Sequence, residues 1–424
     1  MSARRRQWLV LLVVCASGAA AAHARTVCNV RTYGATGNGR TKDTAAIQKA
    51  IDACAQRGGG IVLLQAGTYL SAPIVLKSGI TLELKKGATL LGSPDHEDYP
   101  EITEFRAPGR QALVSATRAD HVAIVGRGVI DGAGESWWQM ARRFKGAGVL
   151  GTEHTRPRLV VFDHCTHVLV EGVTIQNSPM WQLVPYYSSD VTNRNVTVLA
   201  PAHSPNTDAI DPFSSSHVRV EHVLADVGDD DIAIKSGAIG SPGPDAPSRD
   251  ILIKDCTFRH GHGLSIGSEI AGGAEGIRVA HINFEGTENG IRIKANRDRG
   301  HEVSDVVFRH IVMKGVKHPL VVSEYYPKML PQHDGTAAPV TRLTPHFHDI
   351  TIEDLTATGA EDAGVIAGLP EAPIRNLTLH NVRIAAGTGL TVGYAAVRLE
   401  HVRLSVKQGP AIRKISEAKI AMQQ

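Results

Sequence analysis

Read as a string of apolar and polar positions, the chain repeats itself. With h for an apolar residue and x for any residue, hxhxxhxh occurs as VLVEGVTI from Val168, VTNRNVTV from Val191, VRVEHVLA from Val218, ILIKDCTF from Ile251, IRVAHINF from Ile277, VVFRHIVM from Val306, ITIEDLTA from Ile350, LTLHNVRI from Leu377 and VRLEHVRL from Val397. One inward position breaks the rule, Asn193. Alternation by two on each side of a two-residue break predicts strand, corner, strand. Amphipathic helices would need apolar spacings of three and four, which these segments lack. The copies start 20 to 44 residues apart, a period that means a stacked array. The physical solution is an all-β parallel β-helix of about ten rungs, each laid on the last at roughly 4.8 Å, with the inward residues joined into one core. The longest interval holds SEYYPKMLPQHDGTAAPVTRLTP, which predicts a large projecting loop over 323–345.

The N-terminal part differs. TKDTAAIQKAIDACAQRGGG predicts a short helix capped by Asp43 or Thr44, with Ala46, Ile47, Ala50, Ile51 and Cys54 on its apolar face and Gly58–Gly60 ending it. Such a helix would cap the open end of the stack. No linker interrupts the pattern, so residues 25–424 are expected to form one domain.

Composition agrees: glycine is frequent, at 42 residues, and aromatics are only 5%, which suits an all-β chain rich in turns. Residues 1–24 read as an export signal, with Arg4, Arg5 and Arg6 before the apolar run Trp8–Val14 and an A-x-A pattern at Ala22–Ala24. The expected location is therefore secreted or periplasmic. Without that segment, acidic and basic residues balance at 42 each, and nothing points to a nucleic-acid or membrane partner. Cys28, Cys54, Cys165 and Cys256 form no C-x-x-C pair, so a zinc site is not expected. Cys28 and Cys54 flank one N-terminal unit and are candidates to pair; Cys256 reads as a buried apolar residue.

Stacking turns sequence into columns. When the strands after each corner are aligned on Ile210, Ile232, Leu264 and Ile291, the residues two positions earlier are Asp208, Asp230, His262 and Asn289; Leu183 adds Trp181 below them. Asp229 lies beside Asp230, with Asp231 next, and a turn in VGDD would let both Asp229 and Asp230 face one groove. At about 5 Å and an effective dielectric of 20, each carboxylate pair repels by roughly 3 kcal/mol, so one proton is held to higher pH. An acid holding its proton beside an ionised base is the equipment for splitting a glycosidic bond. Arg292 and Lys294 stand beside this column and suit an anionic sugar. Trp181, Tyr325 and Tyr326 are candidates to stack on sugar rings.

The motifs NTDAID (206–211), GDDDIAIKSG (228–237), GHGLSIGSE (261–269) and RIK (292–294) resemble, in order, the four signature motifs of the polygalacturonases, glycoside hydrolase family 28. YGATGNGRTKDTAAIQKAIDAC and GRGVIDGAGESWW also look like bacterial and plant members. The resemblance implies a right-handed parallel β-helix, an inverting hydrolase of α-1,4-linked galacturonate, and no metal or cofactor. Carried over, Asp229 is the general acid, Asp208 and Asp230 activate the attacking water, His262 supports the acid or binds substrate, and Asn206, Arg292 and Lys294 bind substrate. Asp231 falls outside that set and is expected to be structural or to tune its neighbours. Carboxylates one rung apart lie nearer the separation read as retaining than as inverting; the resemblance favours inversion.

Three rival readings remain. A calcium-dependent pectate lyase would use carboxylates to hold the metal and leave an unsaturated sugar. A binding-only β-helix would not need its carboxylates for catalysis. GLSIG (263–267) fits G-x-S-x-G, but Ser265 lacks the strand–turn–helix elbow of a serine esterase. Within the hydrolase reading, another pectic polymer such as rhamnogalacturonan is the alternative substrate, and the inserts at 238–249 and 323–345 favour exo action. The protein is expected to be a monomer.

Overall fold

The computed structural model describes residues 26–146, 155–330 and 335–423; the proposed export signal lies outside them. The chain is a right-handed parallel β-helix. One column of paired residues runs through Ile74, Val114, Val160, Leu183, Ile210, Ile232, Leu264, Ile291 and Leu320, and the register that pairs Val321 with Val365 carries it on to Gly364, Leu390 and Ile412; among the described residues this makes twelve rungs on this face where about ten were expected. The register predicted from Leu183 to Ile291 is the register observed.

A second column follows the repeat itself: Val170, Asn193, Val220, Ile253, Val279, Phe308, Ile352, Leu379 and Leu399. Asn193 stays inward and fully buried among these apolar residues. The corner has a conformational signature. The second residue of each two-residue break adopts left-handed φ at Gly172, Asn195, His222, Asp255, His281, His310, Asp354, Asn381 and His401. These residue types tolerate that conformation best, because a short polar side chain, or none, relieves the Cβ clash.

The helix α1 (Thr44–Gln56) buries Ile47, Ala50, Ile51 and Cys54 on the first strands, as its apolar face requires. Asp43 precedes it but makes no side-chain cap; its carboxylate instead accepts from the amides of Thr36 and Gly37. All four described cysteines are free and buried. Cys28 and Cys54 therefore do not form the disulfide considered above, although they are neighbours: burial, then the Cys28 thiol, push the Cys54 thiol up to about 12. Cys256 is a buried small residue, as expected.

Two features were not anticipated. A second helix, α2 (Glu135–Gly146), stands beside the stack. An antiparallel hairpin, Glu101–Glu104 with Ala107–Arg110, turns through Phe105 and Arg106, both left-handed. No described helix is long and apolar enough to cross a membrane.

Candidate active site

The paired register brings residues from five rungs onto one face. Two positions before the inward column stand Trp181, Asp208, Asp230, His262 and Asn289; one position after it stand Asp211, Ala233, Ser265 and Arg292; three positions after it stand Phe213, Lys235, Gly267 and Lys294. Residues far apart in sequence become neighbours because the core residues beneath them pair.

Asp230 is a buried carboxylate held by two cations and a hydroxyl. Lys294 Nζ lies 2.7 Å from its Oδ2, the Ser265 hydroxyl donates to its Oδ1 at 2.8 Å, and Arg292 approaches to 3.6 Å. Burial alone would raise its pKa, but Lys294, Arg292 and Lys235 outweigh burial and hold it well below the usual carboxylate range. Ser265 is fully buried and spent on this contact, which removes it as an esterase nucleophile.

Asp229 is partly exposed. Its Oδ1 meets His262 Nδ1 at 2.9 Å and also accepts the Asp230 amide, while the exposed Asn206 donates to its Oδ2 at 3.4 Å. His262 Nε2 meets Glu288 at 3.1 Å on its other side. Burial opposes the charge on His262, but the hydrogen bond and charge of Asp229, then Asp230 and Glu288, raise its pKa overall. Arg156 donates to the Asn206 side-chain carbonyl at 2.6 Å and thereby aims that amide.

Asp208 is buried, and its Oδ1 has no hydrogen-bond partner among the described residues. Asp211, three residues on, has no partner on either oxygen. Burial, then the charges of neighbouring aspartates, raise both well above the normal range. The cation nearest Asp208 is Lys235, at 3.7 Å from Oδ2, and Lys235 also meets Glu269 at 3.2 Å. Asp231 faces away from this group. It is fully buried, accepts the Gly263 amide at 3.1 Å, and burial raises its pKa.

The three aromatic candidates separate. Tyr326 joins the site, with Lys294, Arg292 and Arg299 each 5.5 to 5.8 Å from its ring centre. Tyr325 does not: the charges around it are Arg297, Glu324 and Glu371, on the other side of the strand end. Trp181 is half-buried, and its ring is given to cations, with Arg158 at 4.4 Å and Lys235 at 4.8 Å. Its surroundings are those of a packing residue that holds cations rather than of an open sugar platform. Sequence reasoning did not single out Lys235, Asp211, Glu269, Glu288 or Arg156. Lys235 carried a signal, since it stands three residues past Ile232 as Lys294 stands three past Ile291.

The inserts beside the groove are tied together. Asp245 in the first accepts from Arg106 of the hairpin at 2.9 Å and lies 3.7 Å from Arg342 of the second. Arg342 also donates to the Ser241 carbonyl.

A β-helix whose open face collects carboxyls of unequal acidity beside cations is the framework of a two-carboxyl glycoside-cleaving enzyme. The chain belongs to the glycosyl hydrolases family 28, whose sequence model matches residues 62–401. A probable polygalacturonase of Vitis vinifera is 32% identical over 374 residues, covering 83% of this chain and 73% of that protein. An endo-polygalacturonase of Pectobacterium carotovorum subsp. carotovorum is 31% identical, covering 81% and 84%. Among solved structures, the exopolygalacturonase of Thermotoga maritima superposes with a TM-score of 0.78 at 28% identity, covering 90% of this chain and 92% of that one.

Proposed function

We propose that this enzyme hydrolyses the α-1,4 bonds between galacturonate residues of pectic polygalacturonate, by a single displacement with inversion. Asp229 gives its proton to the leaving glycosidic oxygen. A water attacks the anomeric carbon from the opposite side and passes its proton to Asp208, while Asp230 holds that water. His262, charged between Asp229 and Glu288, restores the acid's proton. Arg292, Lys294, Tyr326 and Asn206 hold the uronate nearest the cleaved bond.

The observation that carries this reading is the gathering of three carboxyls, Asp208, Asp229 and Asp230, on adjacent rungs of one face beside His262, Arg292 and Lys294. Carboxyls grouped in this way share acid and base work at a glycosidic bond. Inversion is supported by the state of Asp230: both its oxygens are engaged, by Ser265 and Lys294, which leaves it a poor nucleophile for a covalent intermediate. The same engagement argues against the calcium lyase, because a lysine already occupies the carboxylate a divalent ion would need. The tied inserts around Asp245 and Arg342 favour exo action.

The test is to incubate the purified protein with polygalacturonate and follow reducing ends, ultraviolet absorbance and product size. Reducing ends should rise without absorbance at the unsaturated-sugar wavelength and without sensitivity to EDTA, and monomer should appear from the start. The anomer first formed, read by proton NMR, should be inverted. Absorbance together with EDTA sensitivity would make the enzyme a lyase. Asp229→Asn retaining full release would make it a binding protein. We further propose export through residues 1–24, with residues 25–424 acting as one monomeric domain; mass spectrometry of secreted protein should find Arg25 at its start.

A further inference from the structure

We propose that Lys235 is a positioning residue for the hydrolytic base: its ammonium, held between Glu269 and Asp208 against the Trp181 ring, fixes the charge and direction of the Asp208 carboxylate. The inference rests on the acid/base reading above and adds a residue to it.

Asp208 has little else to keep it charged. Its own strand offers Asp211, the next rung offers Asp229 and Asp230, and all three repel it. Arg156 and Arg158 from the preceding rungs attract it. Arg158, however, is bound to Glu104, and Arg156 donates to Asn206, Pro179 and Pro205. Lys294 and Arg292 face Asp230 instead. Lys235 is left as the close cation, 3.7 Å from Asp208 Oδ2, with its side chain only 6% exposed.

The position of Lys235 is enforced. It is the last outward residue of the strand Ile232–Ser236, whose inward residues Ile232 and Ile234 pair with Leu264 and Ile266. Glu269 at 3.2 Å and the Trp181 ring at 4.8 Å close two further sides. A lysine clamped in this way cannot swing out to a substrate without breaking a buried ion pair. It acts through Asp208. Lys235 acts on both Asp208 and Asp211, but it is Asp208 that it contacts, at 3.7 Å, and this contact marks Asp208 as the acceptor of the water's proton.

The test is steady-state kinetics on polygalacturonate across the acid-to-neutral range. The base must be ionised, so kcat/KM rises through its pKa. Removing the ammonium should move that acidic limb to higher pH by about one to three units, the effect of an opposite charge at this distance, with activity recovering on the plateau. Lys235→Met should show this shift, and Lys235→Arg should largely restore the limb. Lys235→Met/Glu269→Gln, which leaves no unpaired Glu269, should shift upward like Lys235→Met. Glu269→Gln alone frees Lys235 for Asp208 and should move the limb down.

An unmoved limb in a folded Met variant overturns the proposal. So does an unmoved limb with a raised KM, which would make Lys235 a substrate ligand. If the Met variants do not fold, an unmoved limb in Glu269→Gln overturns it. Asp208→Asn separates the two readings: full activity there sinks the acid/base mechanism itself, whereas a dead Asp208→Asn beside an unmoved Lys235 limb sinks the role of Lys235 alone.

Discussion

The ammonium of Lys294 sits 2.7 Å from Oδ2 of Asp230, two rungs and 64 residues away along the chain. Burial pulls the Lys294 pKa down while Asp230 supports its charge. Removing one partner of a buried pair costs about 3–5 kcal/mol, because the other charge is left uncompensated. Arg292 and the Ser265 hydroxyl remain beside Asp230, so Lys294→Met should fall at the low end, about 3 kcal/mol by chemical denaturation. It should also lower kcat/KM by about 10²-fold or more, as losing one preorganised charge at a reacting centre does. Asp230→Asn/Lys294→Met should recover stability and not activity.

Glu288 supplies a different kind of control. His262 has a raised folded pKa, so the stability this group contributes is complete below its unfolded value and is lost as pH rises through the folded one. Glu288→Gln removes one of the two carboxylates in direct contact with it. The His262 titration followed by NMR should move down, and with it the alkaline limb of kcat/KM. Glu288 is nearly half exposed, and solvent screens such pairs, so the shift should stay under about one pH unit. An unchanged His262 titration would show that Glu288 plays no part in setting its charge.

The sequence made the rungs legible for a physical reason: a buried stack tolerates no register slip without exposing its core. Ile210, Ile232, Leu264 and Ile291 therefore announced their own pairing, and with it the column of Asp208, Asp230 and His262. The left-handed corners were written as plainly, in Gly172, Asn195 and His222, but as a choice of residue types rather than as a period. What did not show was the environment of the polar face. Lys235 reads as an ordinary surface lysine until the Trp181 and Glu269 side chains are seen to bury it. Tyr325 and Tyr326 are adjacent, and only the strand end decides which one meets the cations. Helix α2 and the Phe105–Arg106 hairpin sit in insertions, where the repeat gives no guidance.

Asp231 offers a test of stability against pH. Burial raises its carboxyl, so its folded pKa stands above the unfolded one. The carboxyl therefore favours folding only at acid pH, and the benefit is lost as pH rises through the folded pKa. Each pKa unit of difference costs about 1.4 kcal/mol at pH values above both. Asp231→Asn keeps an oxygen for the Gly263 amide and never ionises. It should raise the melting temperature more at neutral than at acid pH, with activity retained. Equal gains at both would mean that Asp231 does not carry a proton in the fold.

Asn193 tests the core itself. It lies between Val170 and Val220 in the inward column, fully buried, and neither side-chain atom has a hydrogen-bond partner among the described residues. A buried polar group without a partner costs about 1–3 kcal/mol. Valine is close in volume to asparagine and suits a strand interior. Asn193→Val should therefore stabilise the protein by about that amount in chemical denaturation, with kcat/KM unchanged, because the column faces the core and not the groove. A loss of stability would instead reveal a buried water bridging the Asn193 amide to backbone groups, since removing such a water is costly.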